Sequence, residues 1–351
     1  MMQRTKKTES LSNQMKRKVS SPPKVKKKEY DGDFGSVIST GSTLLDLAIS
    51  GGRIRGGGLP GGILVEAFGP SGSGKTVLLS EIAGSVQRQG GEIMFHDPEA
   101  RLNKSFAAIF GLDIKDEDYS RPDTVPEVFQ AVRKWKPIGK NKVHGIFADS
   151  LAALSTDTEM SKDAGDKMGM RRPKEFSEEL RRTCRIIPNK NYLMVCSNQI
   201  RQNIGATEYQ PQTSTPGGVA MSFYSSLRLQ FSNPTKIKIT KTIFGKEVSK
   251  IIGVDVVISV FKSSIWKPYR NAKVTILFDY GIDDIRQNLQ YIKDYTKYKT
   301  YTVNGRNLSN TRDEAIQMVE TQGLEEELRE QVIDLWERIE SKFVLERKPK
   351  R

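Results

Sequence analysis

The sequence predicts an α/β fold in which a mostly parallel, twisted sheet is covered by helices and extended by hairpins along one edge. Short apolar runs alternate with helical stretches between residues 63 and 196, which is the pattern of βαβ units. Three later apolar runs follow one another without helices, so they extend the sheet as hairpins. A glycine-rich turn joins the first of the alternating runs to the helix that follows it, and such turns often carry the binding site of an α/β protein.

The segment before the sheet, residues 1–34, is strongly basic. The chain has 351 residues and a formal net charge of +14, and residues 1–28 hold ten Lys or Arg against one acid, Glu9. This composition predicts a flexible basic arm, and a positive balance favours a polyanionic partner. Two alternatives remain open: a nuclear or organelle-targeting signal around 24–28, and a short oligomerisation helix at 10–19.

Several classes of protein are disfavoured by what the sequence contains. Its two cysteines, Cys184 and Cys196, fall in a predicted helix and a predicted buried strand, so a disulfide framework is not expected. A total of two histidines disfavours a histidine-based metal site as the centre of the chemistry. No apolar run has the length of a membrane span, and we expect a soluble, cytoplasmic protein with no membrane partner.

The individual elements follow in order from residue 37. Ser42 is the predicted N-cap of a helix that carries Leu44, Leu45 and Ala48. Strands are predicted at 63–68, 93–95, 145–148, 192–196, 227–231, 254–261 and 273–278, and helices at 77–86, 127–135 and 174–187. A helix at 284–296, a hairpin at 299–306 with an Asn-Gly turn, and helices at 311–320 and 324–343 complete the chain. We therefore divide it into a basic arm (1–34), a core (35–281) and a small α+β C-terminal domain with a basic tail (282–351).

The glycine-rich turn fits the motif G-x-x-x-x-G-K-[ST], in which backbone N–H groups cradle nucleotide phosphates. Its residues are Gly69, Pro70, Ser71, Gly72, Ser73, Gly74, Lys75 and Thr76. The helix that follows points unpaired N–H groups and a partial positive charge at the phosphates. Lys75 is expected to reach the β- and γ-phosphates and Thr76 to supply a hydroxyl to Mg²⁺. The alternative is a glycine turn that binds no nucleotide.

Polar side chains at the ends of other predicted strands supply the remaining chemistry. Asp149 follows the strand at 145–148, where a carboxylate can orient the hydration shell of Mg²⁺. Glu99 follows the strand at 93–95 and is placed to polarise the water that attacks the γ-phosphate, with Asp97 as its rival. Gln199 ends another strand, where its amide either reports the γ-phosphate or simply satisfies a turn.

Two stretches, 156–173 and 201–218, are too long to be simple connections, and loops of this length are usually functional or disordered. The first contains Met168, Gly169, Arg171 and Arg172, and the second contains Arg201, Ile204, Gly205, Tyr209, Thr213, Gly217 and Gly218. Paired arginines and an aromatic residue suit phosphate contact and base stacking on single strands. A lid over a small substrate is the alternative.

These motifs, in this order and spacing, resemble those of the bacterial RecA family of DNA recombinases from about residue 37 to 343. The segments that carry the resemblance are 38–42, 59–60, 69–76, 98–100, 149–154, 168–169, 198–201, 215–218 and 223–228. The resemblance implies a RecA-type ATPase core, ATP and Mg²⁺ as cofactors, and homologous pairing and strand exchange as the activity. It also implies a helical homo-oligomeric filament on single-stranded DNA, double-stranded DNA as the second substrate, and single-strand-binding and mediator proteins as further partners.

The resemblance assigns roles to individual residues. It implies that Glu99 is the catalytic base, that Phe106 stacks on adenine, and that Asn103 makes a polar contact to the base. Gln199 would couple the γ-phosphate to the second DNA-binding loop, and 156–173 and 201–218 would be the two loops. Lys262 would reach the nucleotide site of a neighbouring subunit, and Phe223 would pack in a subunit contact.

The chain also departs from the family pattern. Ser264 replaces a second cross-subunit lysine, for which Lys267 is the candidate substitute. Tyr209 only approximately occupies the place of an aromatic residue, and Pro173 stands near an expected arginine. A basic tail at 347–351 replaces the family's acidic tail, which favours duplex binding and suggests a phage- or plasmid-encoded variant. Two alternatives stay open: a mediator, and a ring-shaped DNA motor or kinase on the same core.

The basic arm yields a first prediction. Deletion of residues 1–28 should reduce the dependence of DNA affinity on salt, because the slope of log K against log salt falls by about 0.9 for each phosphate that the arm no longer neutralises. Binding of the full and shortened chains to one oligonucleotide across a salt series measures the two slopes. Equal slopes would instead assign the arm to assembly or targeting.

Overall fold

The structure is a computed structural model that describes residues 35–139, 142–156, 171–202, 213–214, 218–344 and 347. Its strands are β1 Val37–Ile38, β2 Leu59–Pro60, β3 Ile63–Gly69, β4 Ile93–His96, β5 Tyr119–Ser120, β6 His144–Ala148, β7 Tyr192–Gln199, β8 Arg201–Gln202, β9 Thr213–Ser214, β10 Leu227–Phe231, β11 Thr235–Ile243, β12 Lys246–Ser263, β13 Asn271–Leu277, β14 Gly281–Ile282, β15 Tyr301–Val303 and β16 Arg306–Ser309. Its helices are α1 Thr43–Ser50, α2 Lys75–Arg88, α3 Lys104–Ile109, α4 Val125–Lys134, α5 Arg171–Thr183, α6 Ile186–Asn189, α7 Gly218–Tyr224, α8 Asp284–Tyr295, α9 Arg312–Gln322 and α10 Glu325–Ser341.

A ten-stranded sheet dominates the part of the chain that the structure describes. Its order is β14-β13-β12-β10-β3-β7-β6-β4-β5, and β11 pairs with β12 outside this path. The strands β10, β3, β7, β6, β4 and β5 are parallel to one another, whereas β11 to β14 are antiparallel additions at one edge, joined through β12 to β10. The predicted α/β class, with a mostly parallel sheet and hairpins at one edge, is therefore confirmed.

The central strands are apolar on both faces because helices cover both sides of a parallel sheet. All five residues of β6 are buried, and so are the first seven residues of β7. One face packs against α4, α5 and α7 through side chains that include Phe129 and Phe176, whose rings meet edge to face at 6.4 Å. This packing holds the carboxyl ends of β3, β6 and β7 side by side.

The C-terminal elements have a separate apolar cluster. It is formed by residues of α8, α9, α10 and the β15–β16 hairpin, together with the fully buried Leu47 of α1. The predicted Asn-Gly turn is present: Asn304 and Gly305 have φ of 47° and 78°, as a two-residue type I′ hairpin turn requires. The division of the chain at residue 281 stays a prediction, because residues 36–351 form one compact unit.

The start of α1 is organised by a buried carboxylate. Ser42 caps the helix by accepting a hydrogen bond from the backbone N–H of Leu45, as predicted. The carboxylate of Asp46 accepts hydrogen bonds from the hydroxyls of Ser39 and Thr40 and from the backbone N–H of Thr40 at 2.6 to 2.8 Å. The segment before the helix is thereby folded around Asp46.

Some elements differ from the sequence prediction. Helix α5 begins at Arg171, so the predicted loop 156–173 ends three residues early; Pro173 fits because the first turn of a helix needs no backbone donor. The predicted loop 201–218 contains the paired strands β8 and β9, and α7 starts at Gly218. The predicted strand at 254–261 is only part of β12, which forms a long hairpin with β11.

Asp46 provides a prediction on pH dependence. Burial raises the pKa of Asp46 to about 7, so between about pH 4 and pH 7 the folded chain holds a proton that the unfolded chain releases. The contribution of this group to the free energy of unfolding is therefore present at low pH and lost as the pH rises toward 7. Asp46→Asn should make the slope of unfolding free energy against pH less negative by about 1.4 kcal/mol per pH unit.

Urea unfolding at about pH 5 and pH 6 measures this slope. Asp294→Asn is the matched control, because Asp294 is an exposed acid that accepts a hydrogen bond from Gln290. If Asp46→Asn and the parent chain have the same slope, Asp46 is ionised in the folded chain and the prediction is wrong.

Candidate nucleotide site

A cavity of about 280 Å³ lies at the carboxyl ends of the central strands. It is lined by Ser71, Gly72, Ser73, Gly74, Lys75, Thr76, Val77, Glu99, Arg101, Phe106, Asp149, Ser150, Ser197, Gln199, Val254, Ile276 and Phe278. The glycine loop, the two predicted carboxylates and the predicted amide thus share one cavity, although they come from four separate segments. Parallel strands bring these ends together, which is why ligands bind at this edge of an open α/β sheet.

The backbone of the loop between β3 and α2 requires glycine at two positions. Gly72 and Gly74 have φ of 70° and 89°, in the left-handed region. A Cβ on Gly74 would also lie 2.2 Å from Cδ1 of Ile276. This conformation turns the chain sharply into α2, so that the N-terminus of the helix faces the cavity.

Lys75 is the first residue of α2, and its side chain folds back onto the loop that precedes the helix. Its ammonium donates to the carbonyl oxygens of Gly69 at 3.1 Å and Pro70 at 2.6 Å. Burial lowers the pKa of Lys75, and the negative charges of Asp149 and Glu99 act in the opposite direction. A partly desolvated cation held beside a helix N-terminus is suited to bind an anion such as a phosphate.

Thr76 and Asp149, the two predicted metal ligands, lie in contact with each other. Asp149 is hydrogen-bonded to the side chains of Thr76 and Ser197, and burial raises its pKa, with the charges of Asp97 and Glu99 adding to the effect. A hydroxyl and a carboxylate are oxygen ligands of the kind that Mg²⁺ takes, together with water and substrate phosphates. The donor set therefore fits this ion, which would also relieve the repulsion among the carboxylates.

Glu99 and its rival Asp97 have different surroundings. The Oδ2 atom of Asp97 accepts hydrogen bonds from the N–H of Leu102 and the hydroxyl of Tyr119, both at 2.8 Å. Glu99 lines the cavity and accepts a hydrogen bond from the Ser150 hydroxyl at 3.0 Å. Its other oxygen pairs at 2.6 Å with Arg101, whose side chain is 73% exposed. Asp97 thus holds the polypeptide in place, whereas Glu99 faces the space where a ligand would bind.

The other predicted nucleotide contacts are only partly brought together. Phe106 lines the cavity, with its ring edge to face against Phe110 at 4.6 Å. Asn103 caps α3 by accepting hydrogen bonds from the N–H groups of Ser105 and Phe106, and it is not among the described residues that line the cavity. Gln199 ends β7 directly opposite Gly69 of β3, and so faces the beginning of the glycine loop.

Lys262 lies outside the cavity of its own chain. Its ammonium donates to the carbonyl oxygens of Ser222 and Phe223 at 2.7 and 3.1 Å, at the end of α7. Burial lowers its pKa, and the nearby charge of Arg228 lowers it further. The backbone N–H of Ser264 donates to a carbonyl, and the ammonium of Lys267 lies 5.6 Å from the ring centre of Trp266.

The predicted DNA contacts fall mostly outside the described residues. These are Met168, Gly169, Ile204, Gly205, Tyr209 and Gly217. Arg171 and Arg172 form the first two positions of α5, and Gly218 is the first residue of α7. Arg201 and Thr213 belong to the β8–β9 ladder, which brings the two ends of the second long stretch side by side. The first strand of this ladder, β8, begins two residues after Gln199.

Comparison with known proteins gives a family. The sequence model of the RecA N-terminal domain matches residues 23–283. This chain belongs to the RecA family. It is 32% identical over 305 residues to the protein RecA of Delftia acidovorans, covering 85% of this chain and 78% of the relative. It is 34% identical over 252 residues to the protein RecA of Thermus thermophilus, covering 71% and 69% of the two chains.

The family membership confirms the predicted activity: the chain is an ATP-dependent recombinase and a DNA-dependent ATPase. It favours this function over a mediator or a ring-shaped motor. No helix in the described part of the chain is both long enough and apolar enough to cross a membrane.

One feature next to the site was not predicted from the sequence. Glu66, in the middle of β3, is fully buried and pairs with Nε of Arg228 on β10 at 2.6 Å. The amide of Asn198 on β7 donates to the other carboxylate oxygen at 2.9 Å. The guanidinium also lies over the rings of Phe68 and Phe261, 4.4 and 5.4 Å from their centres. A lone Glu within an apolar run was the available signal, since a buried charge needs a partner.

This ion pair gives a stability prediction. Glu66→Gln leaves the guanidinium of Arg228 buried without an anion, and breaking a buried pair in this way costs about 3–5 kcal/mol of unfolding free energy. The double variant Glu66→Leu with Arg228→Met removes both charges and should cost less than the single change. Urea unfolding measures both variants. A single variant within about 1 kcal/mol of the parent would show that the pair contributes little.

Proposed function

We propose that this recombinase assembles on single-stranded DNA as a helical filament, with ATP and Mg²⁺ bound in the cavity at Gly69–Thr76. The observation that carries the proposal is the juxtaposition of Lys75, Glu99, Asp149 and Gln199 in one cavity. Gln199 is followed within two residues by the first residues of a predicted DNA-binding loop. A nucleotide in the cavity and DNA on the loop would therefore act on the same short segment.

Each residue has a proposed role in binding and hydrolysis. The N–H groups of the loop and the ammonium of Lys75 bind the phosphates, and Lys75 gives up its bonds to the loop carbonyls when it does so. Thr76 and Asp149 hold Mg²⁺, which supplies charge neutralisation at the phosphates. Phe106, which lines the cavity, is proposed to stack on the base, while Asn103 would have to release its cap on α3 to contact it.

Glu99 is the proposed base. The carboxylate holds its position through the Ser150 hydroxyl, and its second oxygen exchanges the exposed Arg101 for the attacking water. The carboxylate then accepts the proton that the water loses as its oxygen bonds to the γ-phosphorus, while the bond from that phosphorus to the β–γ bridging oxygen breaks and ADP leaves. Gln199 would bind the γ-phosphate and change position when it leaves, which alters the second loop.

DNA is proposed to bind at the stretches 156–173 and 201–218, through Arg171, Arg172, Arg201 and the further loop residues given above. Recognition would rest on backbone and stacking contacts, because base pairing between the strands supplies the specificity. Lys262 is proposed to reach the nucleotide of a neighbouring subunit, after exchanging its bonds to the end of α7. Single-strand-binding and mediator proteins as partners, and a cytoplasmic location, complete the proposal.

The assignment of Glu99 is tested with Glu99→Gln. Removal of a general base lowers turnover by about 10²- to 10⁴-fold, while the amide keeps the shape of the side chain. We expect ATP hydrolysis stimulated by single-stranded DNA to fall by at least about 100-fold. Electron microscopy of the variant with ATP and single-stranded DNA should still show an open helical filament.

Asp97→Asn is the matched comparison. If this variant keeps the parental unfolding transition and loses more turnover than Glu99→Gln, the base is Asp97. Closed rings, or isolated subunits, in place of filaments would contradict the proposed assembly irrespective of turnover.

A further inference from the structure

The hairpin formed by β11 and β12 extends beyond the sheet. In the described chain, β12 pairs with β13 from Gly253 onward and with β10 from Ile258 onward. The end of the hairpin, residues 238–251, pairs within itself, and all of its residues are exposed. At about 3.3 Å per residue, it projects about 20 Å from the sheet. An isolated two-stranded ribbon is marginally stable in water, so the stability of the domain does not explain a ribbon of this length.

One face of this ribbon, which we call the lysine face, combines charge with aliphatic residues. Each of its cross-strand pairs joins one lysine to one β-branched residue: Ile239 with Lys250, Lys241 with Val248, and Ile243 with Lys246. The aliphatic stems of the lysines can cover the neighbouring side chains while the ammonium groups stay in water. This explains how a ribbon without a core persists, and it leaves three positive charges directed outward.

The charges on the ribbon have no acidic counterpart on the lysine face. The single acid between residues 238 and 251, Glu247, pairs with Thr242 on the opposite face. No acid of the described residues forms a salt bridge with Lys241, Lys246 or Lys250. Two copies of such a face would repel each other, whereas a polyanion would be attracted.

The tip of the ribbon presents an aromatic ring to solvent. Phe244 and Gly245 form the turn with φ of 52° and 75°, as in a two-residue type I′ turn. The side chain of Phe244 is fully exposed. An apolar side chain at the end of a basic arm is the device with which architectural proteins enter between base pairs.

We propose that this hairpin contacts double-stranded DNA, with Lys241, Lys246 and Lys250 on phosphates and Phe244 inserted at a base step. β-Ribbons enter either groove of a duplex, and apolar wedges insert from the minor groove, so the minor groove is the side from which Phe244 would reach a base step. Lys246 and Lys250 lie four residues apart on one strand, about 13 Å, which is far enough for their ammonium groups to reach different phosphates of a duplex strand. The inference rests on the proposed function, since strand exchange requires a duplex to be held and locally opened.

The root of the hairpin ties it to the nucleotide site. Val254 lines the cavity and lies three residues beyond the exposed part of β12. The same strand continues to Lys262. A duplex bound at the ribbon would therefore be attached to the strand that borders the nucleotide.

The triple variant Lys241→Gln, Lys246→Gln, Lys250→Gln in the full chain tests the phosphate contacts. Binding of a short fluorescent duplex across a salt series should show a slope lower by about two to three, because each contact contributes about 0.9. The affinity at moderate salt should fall by at least about tenfold. The corresponding Lys→Arg triple should bind as the parent does, which separates charge from hairpin stability.

The matched control neutralises three exposed lysines elsewhere, Lys134, Lys136 and Lys190, and should leave the slope unchanged. An unchanged slope in the hairpin triple would overturn the phosphate contacts. A loss of self-association without DNA, with parental duplex affinity, would assign the ribbon to contacts between copies instead.

Phe244→Ser tests the insertion. A duplex containing 2-aminopurine should brighten when the parent binds, because unstacking restores its fluorescence, and should stay dim with the variant. Equal brightening would overturn the role of Phe244. If the parent showed no ATP hydrolysis stimulated by single-stranded DNA, the proposed function itself would fail, whereas parental hydrolysis with an unaltered hairpin triple would remove only the duplex contact.

Discussion

The carboxylate of Glu66 lies in the middle of the central strand, where a charge must be neutralised to be tolerated. Arg228 on one neighbouring strand and Asn198 on the other satisfy its two oxygens, so a single charge joins β10, β3 and β7. Any change of register between these strands would separate the charges and leave them buried. The alignment of Gly69 with Gln199, on which the cavity depends, is therefore held by an interaction a few residues away.

The same interaction links two regions that the proposed mechanism connects. Asn198 directly precedes Gln199, which lines the cavity. Arg228 is the cross-strand partner of Lys262. Lys262 in turn holds the end of α7, which follows the second long stretch. In the proposed mechanism, a shift of Gln199 upon release of the γ-phosphate would act on Asn198, which is bonded to the Glu66–Arg228 pair, and Lys262 is the cross-strand neighbour of that pair.

The sequence predicted the parts of the fold whose local pattern and packing agree. The run 145–148 is buried on both faces, and Asn304-Gly305 adopts the backbone that its residues favour. Glu66 could not be placed in the same way, because its partner Arg228 is 162 residues away and only the folded sheet brings them together. The family resemblance predicts that Asn103 contacts the base, yet its oxygen caps α3, a local competition that a motif does not reveal.

The hairpin was missed for a physical reason. Strand prediction relies on a buried apolar face, and residues 238–251 have none, so the alternation of lysine and isoleucine after Thr235 resembles an exposed loop. The period-2 alternation and the Phe-Gly turn were the remaining signals. Since no core requires these residues, their β-branched side chains serve to keep the ribbon extended rather than to stabilise the domain. A segment that is extended, cationic and not packed against the core is better explained by a binding partner than by a contribution to the stability of the domain.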